Sequence, residues 1–181
     1  MSEGRGAPEG FHLAQVNVAR MMASLDDPAM ADFVVQIGRV NAEADGSPGF
    51  VWRLQTPEGD STGVRAYSDS RVLFNLSVWE DLESLFAYTY RSGHLEPFRA
   101  RRRWFERFDG AHLALWWIPA GTLPTIEEAR ARLERLDREG PTPEAFTFKR
   151  LFGPDGAPRE RLLRPVPLDG ERRTDAEQNA V

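Results

Sequence analysis

Four apolar segments with the two-residue period of β-strands constrain the fold of this chain more than any other feature. They cover residues 11–18, 50–55, 71–79 and 112–118. In the third segment, Asn75, Ser77 and Trp79 alternate with aliphatic or aromatic side chains, which is typical of a strand with two different faces. Turn-rich or helical sequence separates the segments, so we expect four strands in one domain.

Helical patterns lie between and after these strands. Two starts carry capping signals: Asp26 or Asp27 precedes Pro28, and Thr125 stands three residues before Glu128 in a capping-box pattern. The predicted helices cover about residues 28–45, 82–90, 95–108 and 126–140. The order β-α-β-β-α(α)-β with an appended C-terminal helix predicts the α+β class: a ferredoxin-like antiparallel sheet with helices on one face.

The second face of such a sheet would still carry large apolar side chains. In the third strand these are Val72, Phe74, Leu76 and Val78. A monomer with all its helices on one side would leave them in contact with water. Burial against a second copy of the sheet would cover them, so we expect a symmetric homodimer.

Composition sets the limits of the domain and excludes several classes of function. Residues 1–10 and 153–181 are rich in Gly, Pro or charge, and predict a disordered lead and a mostly disordered tail around a domain of residues 11–152. The net charge of −5 argues against nucleic-acid or anionic-membrane partners. Cysteine is absent, which excludes disulfides and a thiol nucleophile. No apolar run could span a bilayer, so a soluble cytoplasmic protein is expected.

Polar side chains on the apolar strands are the first candidate site. Gln15 and Asn17 share one face of the first strand, and Asn75 and Ser77 share one face of the third. Burying an amide without a partner costs about 1–3 kcal/mol. These groups therefore either line a ligand pocket, with Trp79 and Trp116 as walls, or pair with one another as an amide ladder within the sheet.

His94 is the second candidate, as a general base near neutral pH beside Tyr90. A helix cap or a surface side chain is the alternative for this histidine. Arg99 or Arg103, in an arginine-rich helical stretch, or Arg53 on the second strand could hold an anionic group of a substrate; ion pairs on a solvated face are the alternative. The three histidines are dispersed, so no metal site is predicted.

Several motifs resemble a known family. They are Leu13-Ala-Gln-Val-Asn17, Gly49-Phe-Val-Trp-Arg53, Asn75-Leu-Ser-Val-Trp79, Arg91-Ser-Gly-His94, Arg103-Trp-Phe105, Leu115-Trp-Trp-Ile-Pro119 and Phe146-Thr-Phe148. Together they make residues 11–152 similar to a bacterial domain family of unknown function. That family lies in the dimeric α/β-barrel superfamily, which includes antibiotic-biosynthesis monooxygenases and heme-degrading monooxygenases. The resemblance implies a fold and leaves the activity open.

The heme-degrading branch is not implied. Its members resemble one another in a strand-one Asn, a helix Trp three residues before a Ser, and a heme-ligating His seven residues after that Ser. Aligned on Ser92, the Trp and His positions hold Thr89 and Arg99 here, although Asn17 matches the strand Asn. A heme iron without its proximal ligand loses affinity and electronic control.

We therefore expect a small-molecule tailoring enzyme that resembles cofactor-independent monooxygenases and needs no cofactor. Its pocket would lie between the sheet and the helices. The predicted catalytic residues are His94, Asn17 and Asn75, and the predicted substrate-binding residues are Gln15, Arg53, Ser77, Trp79, Tyr90, Arg99 and Trp116. The alternative is a non-catalytic protein that binds a metabolite or assembles as a dimer.

Overall fold

A computed structural model describes residues 10–57, 63–91, 103–160 and 162. The strands are β1 (Phe11–Met21), β2 (Phe50–Arg53), β3 (Val72–Trp79), β4 (Phe105–Glu106), β5 (Leu113–Pro119), β6 (Leu151–Phe152) and β7 (Pro158–Arg159). The helices are α1 (Ala31–Asp45), α2 (Leu82–Arg91) and α3 (Ile126–Glu139), with a short 3-10 turn at Pro28–Met30 before α1. Among the described residues, no helix has the length and apolar character needed to cross a membrane.

One antiparallel sheet organises the chain around β1. The strand order is β2-β3-β1-β5, and the two-residue β4 pairs with the far end of β1, beside β5. The register of β1 and β3 runs from Leu13–Trp79 to Arg20–Val72. This is the strand order of a ferredoxin-like fold, so the predicted α+β class is confirmed.

The two faces of the sheet carry different helices. Leu13 and Trp79 point to the face where Ala44 of α1 and Leu85 of α2 pack. The opposite face contains Val16, Phe74 and Trp116, all fully buried, and packs against α3. Helices α1 and α2 therefore lie on one side of the sheet, as predicted, and the appended helix α3 lies on the other.

The position of α3 corrects the reason given for a homodimer. Ala129 and Leu133 of α3, together with Ala66 from the segment before β3, cover the face that a second copy was expected to cover. Val78 and Ala114 on that face are fully buried within a single chain. The apolar sheet face is thus sealed intramolecularly and gives no ground for pairing two copies.

The caps form where the sequence places them. Asp27 accepts a hydrogen bond from the Ala29 amide at 2.8 Å, and the Thr125 hydroxyl accepts one from the Glu128 amide at 3.1 Å. Both bonds satisfy amide groups that the first turn of a helix leaves without a partner.

The helix predicted over residues 95–108 needs correction. Of the predicted helix 95–108, residues 95–102 lie outside the described residues, and its end is not helical because Phe105 and Glu106 form β4 instead. Beyond it, β6 and β7 pair as an antiparallel hairpin. Residues 145–148 add a bridge to the sheet through two backbone bonds between Phe146 and Leu115.

Candidate functional site

A row of polar side chains crosses the centre of the sheet, on the face covered by α1 and α2. Gln15 lies opposite Ser77, and Asn17 lies opposite Asn75, in the register of β1 and β3. The alternation of each strand requires this: residues two apart share a face, and antiparallel pairing brings the two polar sets together. We call these four residues the amide row.

Hydrogen bonds across the amide row all run from β3 to β1. Asn75 Nδ2 donates to Asn17 Oδ1 at 2.9 Å. Trp79 Nε1 donates to Ser77 Oγ at 3.0 Å, and Ser77 Oγ donates to Gln15 Oε1 at 2.8 Å. The side-chain oxygens of Gln15 and Asn17 are therefore both occupied by donors from β3.

The other end of each β1 amide is still available. Neither Gln15 Nε2 nor Asn17 Nδ2 donates a hydrogen bond to another described residue. Gln15 is only 7% exposed. Because a planar amide holds its oxygen and nitrogen apart, the NH2 groups point away from β3. On that side β5 places Leu115 beside Gln15 and Leu113 beside Asn17. The row thus offers hydrogen-bond donors next to apolar side chains.

Aromatic side chains border one end of the amide row. The Trp79 ring is 1% exposed, stacks on Tyr88 with ring centroids 4.9 Å apart, and meets the edge of Phe50 at 5.3 Å. The Tyr88 hydroxyl donates to the Val40 carbonyl of α1 at 3.2 Å. The Trp79 ring is thus covered by Tyr88 and Phe50, and its N–H bond to Ser77 fixes its position at the end of the amide row.

Burial fixes the protonation state of the Tyr88 phenol. Its removal from water raises the pKa of Tyr88 well above the usual value, and the negative charges of Glu43 and Asp45 act in the same direction while Arg53 opposes them. The phenol is therefore neutral at physiological pH. It can donate a hydrogen bond, and it is not a base.

Arg53 lies beside the amide row but already holds a carboxylate. It pairs with Ser77 in the register of β2 and β3. Its Nε and NH2 atoms contact the two carboxylate oxygens of Asp45 at 2.8 and 3.1 Å, and its side chain is 12% exposed. This bidentate pair ties β2 to the end of α1 and neutralises much of the charge that was expected to bind a substrate anion.

Trp116 does not join the amide row, which corrects its predicted position. It pairs with Ala14 in the register of β1 and β5, so it points to the α3 face. There its Nε1 donates to Glu128 Oε1 at 3.0 Å, and the Arg132 guanidinium lies 5.7 Å from its ring centroid. A fully buried indole with this partner anchors α3 to the sheet.

The remaining predicted site residues fall in two places. Tyr90 lies on α2 and packs in an aromatic cluster with Phe86 at 4.5 Å and Phe148 at 5.9 Å. His94 and Arg99 lie outside the described residues. The structure therefore brings together Gln15, Asn17, Asn75, Ser77 and Trp79, with Arg53 at their edge.

Tyr88 is the residue near the amide row that was not selected from the sequence. Leu82, Leu85 and Tyr88 follow one another at three-residue spacing, and they all pack on the same sheet face. That spacing marks one side of a helix and was the available signal.

Comparisons with known proteins identify a family and some distant structural likenesses. The model of a domain of unknown function, DUF3291, matches residues 12–162. No curated protein matches the chain. The cofactor-independent oxygenase SnoaB from Streptomyces nogalater is 20% identical with a TM-score of 0.42, over 63% of this chain and 98% of that one. PA3566 from Pseudomonas aeruginosa is 12% identical with a TM-score of 0.39, over 61% and 95%. These solved structures are too distantly similar to indicate a function, so the chemistry of the amide row follows from the side chains of this chain.

Proposed function

The chain belongs to the DUF3291 family of domains of unknown function, and we propose from its own side chains that it binds and oxidises a small aromatic molecule. The ligand would lie between the sheet and helices α1 and α2, against the amide row. The observation that carries this proposal is the bond from Asn75 to Asn17. It occupies the Asn17 oxygen and leaves the Asn17 NH2 group to stabilise an oxyanion.

The proposed reaction resembles that of cofactor-independent monooxygenases. A base removes a proton from an acidic CH2 group of an aromatic ketone, and the resulting enolate oxygen is held by the amide donors. The electron-rich anion then reduces O2: one oxygen atom becomes a new carbonyl oxygen on the substrate carbon, and the other leaves as water. His94 is the proposed base on sequence grounds, since Tyr88 is held in its neutral form.

Turnover of anthrone, a tricyclic ketone with an acidic CH2 group, tests this proposal. We expect O2 uptake by the protein and a fall in kcat of about 100-fold in Asn17→Ala, because one oxyanion donor is lost. An O2 electrode measures the rate, and circular dichroism checks the fold.

Gln55→Ala is the matched control, because Gln55 is an exposed amide two residues beyond the end of β2. It should keep the full rate. O2 uptake that is the same with and without protein, or an Asn17→Ala variant as fast as the parent, would contradict the proposal.

A second candidate is a protein that binds a metabolite without converting it. The cross-strand bonds favour it, because Asn75–Asn17 and Ser77–Gln15 are what a purely structural amide ladder would contain. In that case Asn75→Ala lowers the free energy of unfolding by about 1–3 kcal/mol and changes no turnover. Urea unfolding and O2 uptake on the same variant separate the two candidates.

We propose that a homodimer of this chain would use a surface other than the sheet face that the sequence suggested. Helix α3 occupies the sheet face opposite the amide row. A homodimer would therefore have to form elsewhere. Light scattering at micromolar concentration tests whether a dimer forms, and a single monomeric species would contradict it.

A further inference from the structure

We infer that Gln15 provides a second donor position, so that the ligand of this site carries two hydrogen-bond acceptors separated by about the width of one ring. This inference rests on the proposed ligand site and makes its chemistry more specific. Gln15 and Asn17 are two residues apart on one strand, which places their Cα atoms about 7 Å apart on the same face. A ligand with a single acceptor would satisfy only one of them.

The first support is the incomplete bonding of a buried side chain. Among the residues that the structure describes, Gln15 is the one polar residue that is buried, with 7% of its surface exposed. Its Oε1 accepts from Ser77, but its Nε2 donates to no described residue. Nε2 is not one of the polar atoms of the described residues that are both fully buried and without a partner, so it keeps contact with solvent. An acceptor atom of a ligand can therefore reach it.

The second support is a directed chain of donors behind Gln15. The Trp79 N–H donates to Ser77, and the Ser77 O–H donates to Gln15. Because Ser77 supplies its only proton to Oε1, an amide turned around could still donate to Ser77 Oγ through Nε2 but would leave that proton without its acceptor. Each bond in such a chain polarises the next, so the Gln15 NH2 group is a stronger donor than an isolated amide. Ser77 and Trp79 are thus positioning residues.

The third support is the parallel arrangement at Asn17. Asn75 fixes the Asn17 oxygen from β3, as Ser77 fixes the Gln15 oxygen. Both NH2 groups therefore leave the row on the same side, beside Leu113 and Leu115. Two equivalent donors over an apolar surface match two acceptor atoms on one flat, otherwise apolar molecule.

The test compares two bicyclic molecules of similar shape by quenching of tryptophan fluorescence. 1,4-Naphthoquinone has two carbonyl oxygens at opposite ends of one ring, and 1-tetralone has one. The absence of cysteine means that the quinone meets no protein thiol. We expect the quinone to bind about tenfold more tightly, since one additional hydrogen bond is made.

Variants assign that difference to Gln15. In Gln15→Leu the preference for the quinone over tetralone should disappear. Ser77→Ala should reduce the preference partly, because the amide loses its fixed orientation. The double variant Gln15→Leu/Ser77→Ala removes both partners of the Ser77–Gln15 bond and should show no more preference than Gln15→Leu; circular dichroism checks its fold, because the Trp79 N–H loses its bond to Ser77. Gln55→Leu is the control and should keep the preference.

The outcomes separate this inference from the proposed function. Equal binding of the two molecules, or a preference that survives in Gln15→Leu, overturns the second donor position and leaves the ligand site in place. Failure of both molecules to quench fluorescence at millimolar concentration overturns the ligand site itself, and the inference with it.

Discussion

The side-chain amides of Gln15 and Asn17 each carry an oxygen and an NH2 group, and only the oxygen is bonded within the sheet. The alternation of residues 11–18 and 71–79 was sufficient to place Gln15 and Asn17 on the same face as Ser77 and Asn75. It could not decide between a pocket wall and a ladder, since that depends on the rotamers of four side chains. The structure contains both parts: the oxygens of the β1 amides belong to a ladder, and their NH2 groups donate to no described residue.

The position of Trp116 shows what alternation along a single strand leaves undetermined. Period two separates Trp116 from Trp117, but which of them faces the amide row depends on the register between β1 and β5. That register pairs Ala14 with Trp116. A shift by one residue would exchange the two faces, and nothing in either strand alone fixes it.

Tyr88 should make the stability of the protein depend on pH in the alkaline range. The folded-state pKa of Tyr88 is raised by burial, while an unfolded tyrosine titrates near its usual value of about 10. Above that pH the unfolded chain binds fewer protons than the folded one, so the free energy of unfolding falls as pH rises, by at most about 1.4 kcal/mol per pH unit.

Urea unfolding between pH 8 and 11.5 measures this slope. Tyr88→Phe should flatten it above pH 10, although it also removes the bond to Val40. A variant with the same slope as the parent would show that Tyr88 ionises as freely in the folded state as in the unfolded one.

Short elements owe their existence to tertiary contacts. Phe105 and Glu106 lie in a stretch with helical periodicity, yet they pair with Arg20 and Met21 at the end of β1. Glu106 accepts a bond from Arg71 at 2.9 Å, and Phe105 meets the edge of Phe33 at 5.1 Å. These partners are distant in the sequence, so local propensity could not predict β4.

The entry into β2 gives a prediction at the element scale. Gly49 has a φ of +76°, and a Cβ atom there would lie 2.5 Å from the Ser84 Cβ of α2. Gly49→Ala should therefore lower the free energy of unfolding by about 3 kcal/mol, through left-handed strain and a clash. Urea denaturation measures the change.

Gly121 is the matched control for this substitution. It has a similar φ of +82°, but nothing lies within 4 Å of its added Cβ, so Gly121→Ala should cost only about 1–2 kcal/mol of strain. Ser84→Gly in the Gly49→Ala background should recover the difference. Equal costs at the two glycines would contradict the close approach of α2.

On the scale of the whole molecule, α3 decides how the sheet is covered. Ala129 and Leu133 lie four residues apart, the spacing of one side of a helix, and both are buried against the sheet. The sequence could not identify the surface it covers, because an amphipathic helix fits any apolar face of suitable width. A second copy was expected to cover this sheet face because the sequence did not show that α3 covers it.

A charge in the contact between α3 and the sheet should uncover the apolar face. Ala129 is fully buried there, so Ala129→Asp should lower the free energy of unfolding by about 3–5 kcal/mol and promote self-association. Urea denaturation and light scattering measure the two effects. Ala131→Asp, at an exposed position of the same helix, is the control and should change neither. A monomeric Ala129→Asp variant of normal stability would contradict the covering role of α3.

Because α3 and the sheet that it covers belong to one chain, dilution does not separate them. A sheet face sealed by a second chain loses its seal as protein concentration falls, since association is bimolecular. Here the seal is tethered to β5 by the six residues 120–125, so the local concentration of α3 at the sheet is set by the tether and not by the number of molecules in solution. The burial of Trp116 and Phe74 is thereby independent of how many copies of this chain the cell makes.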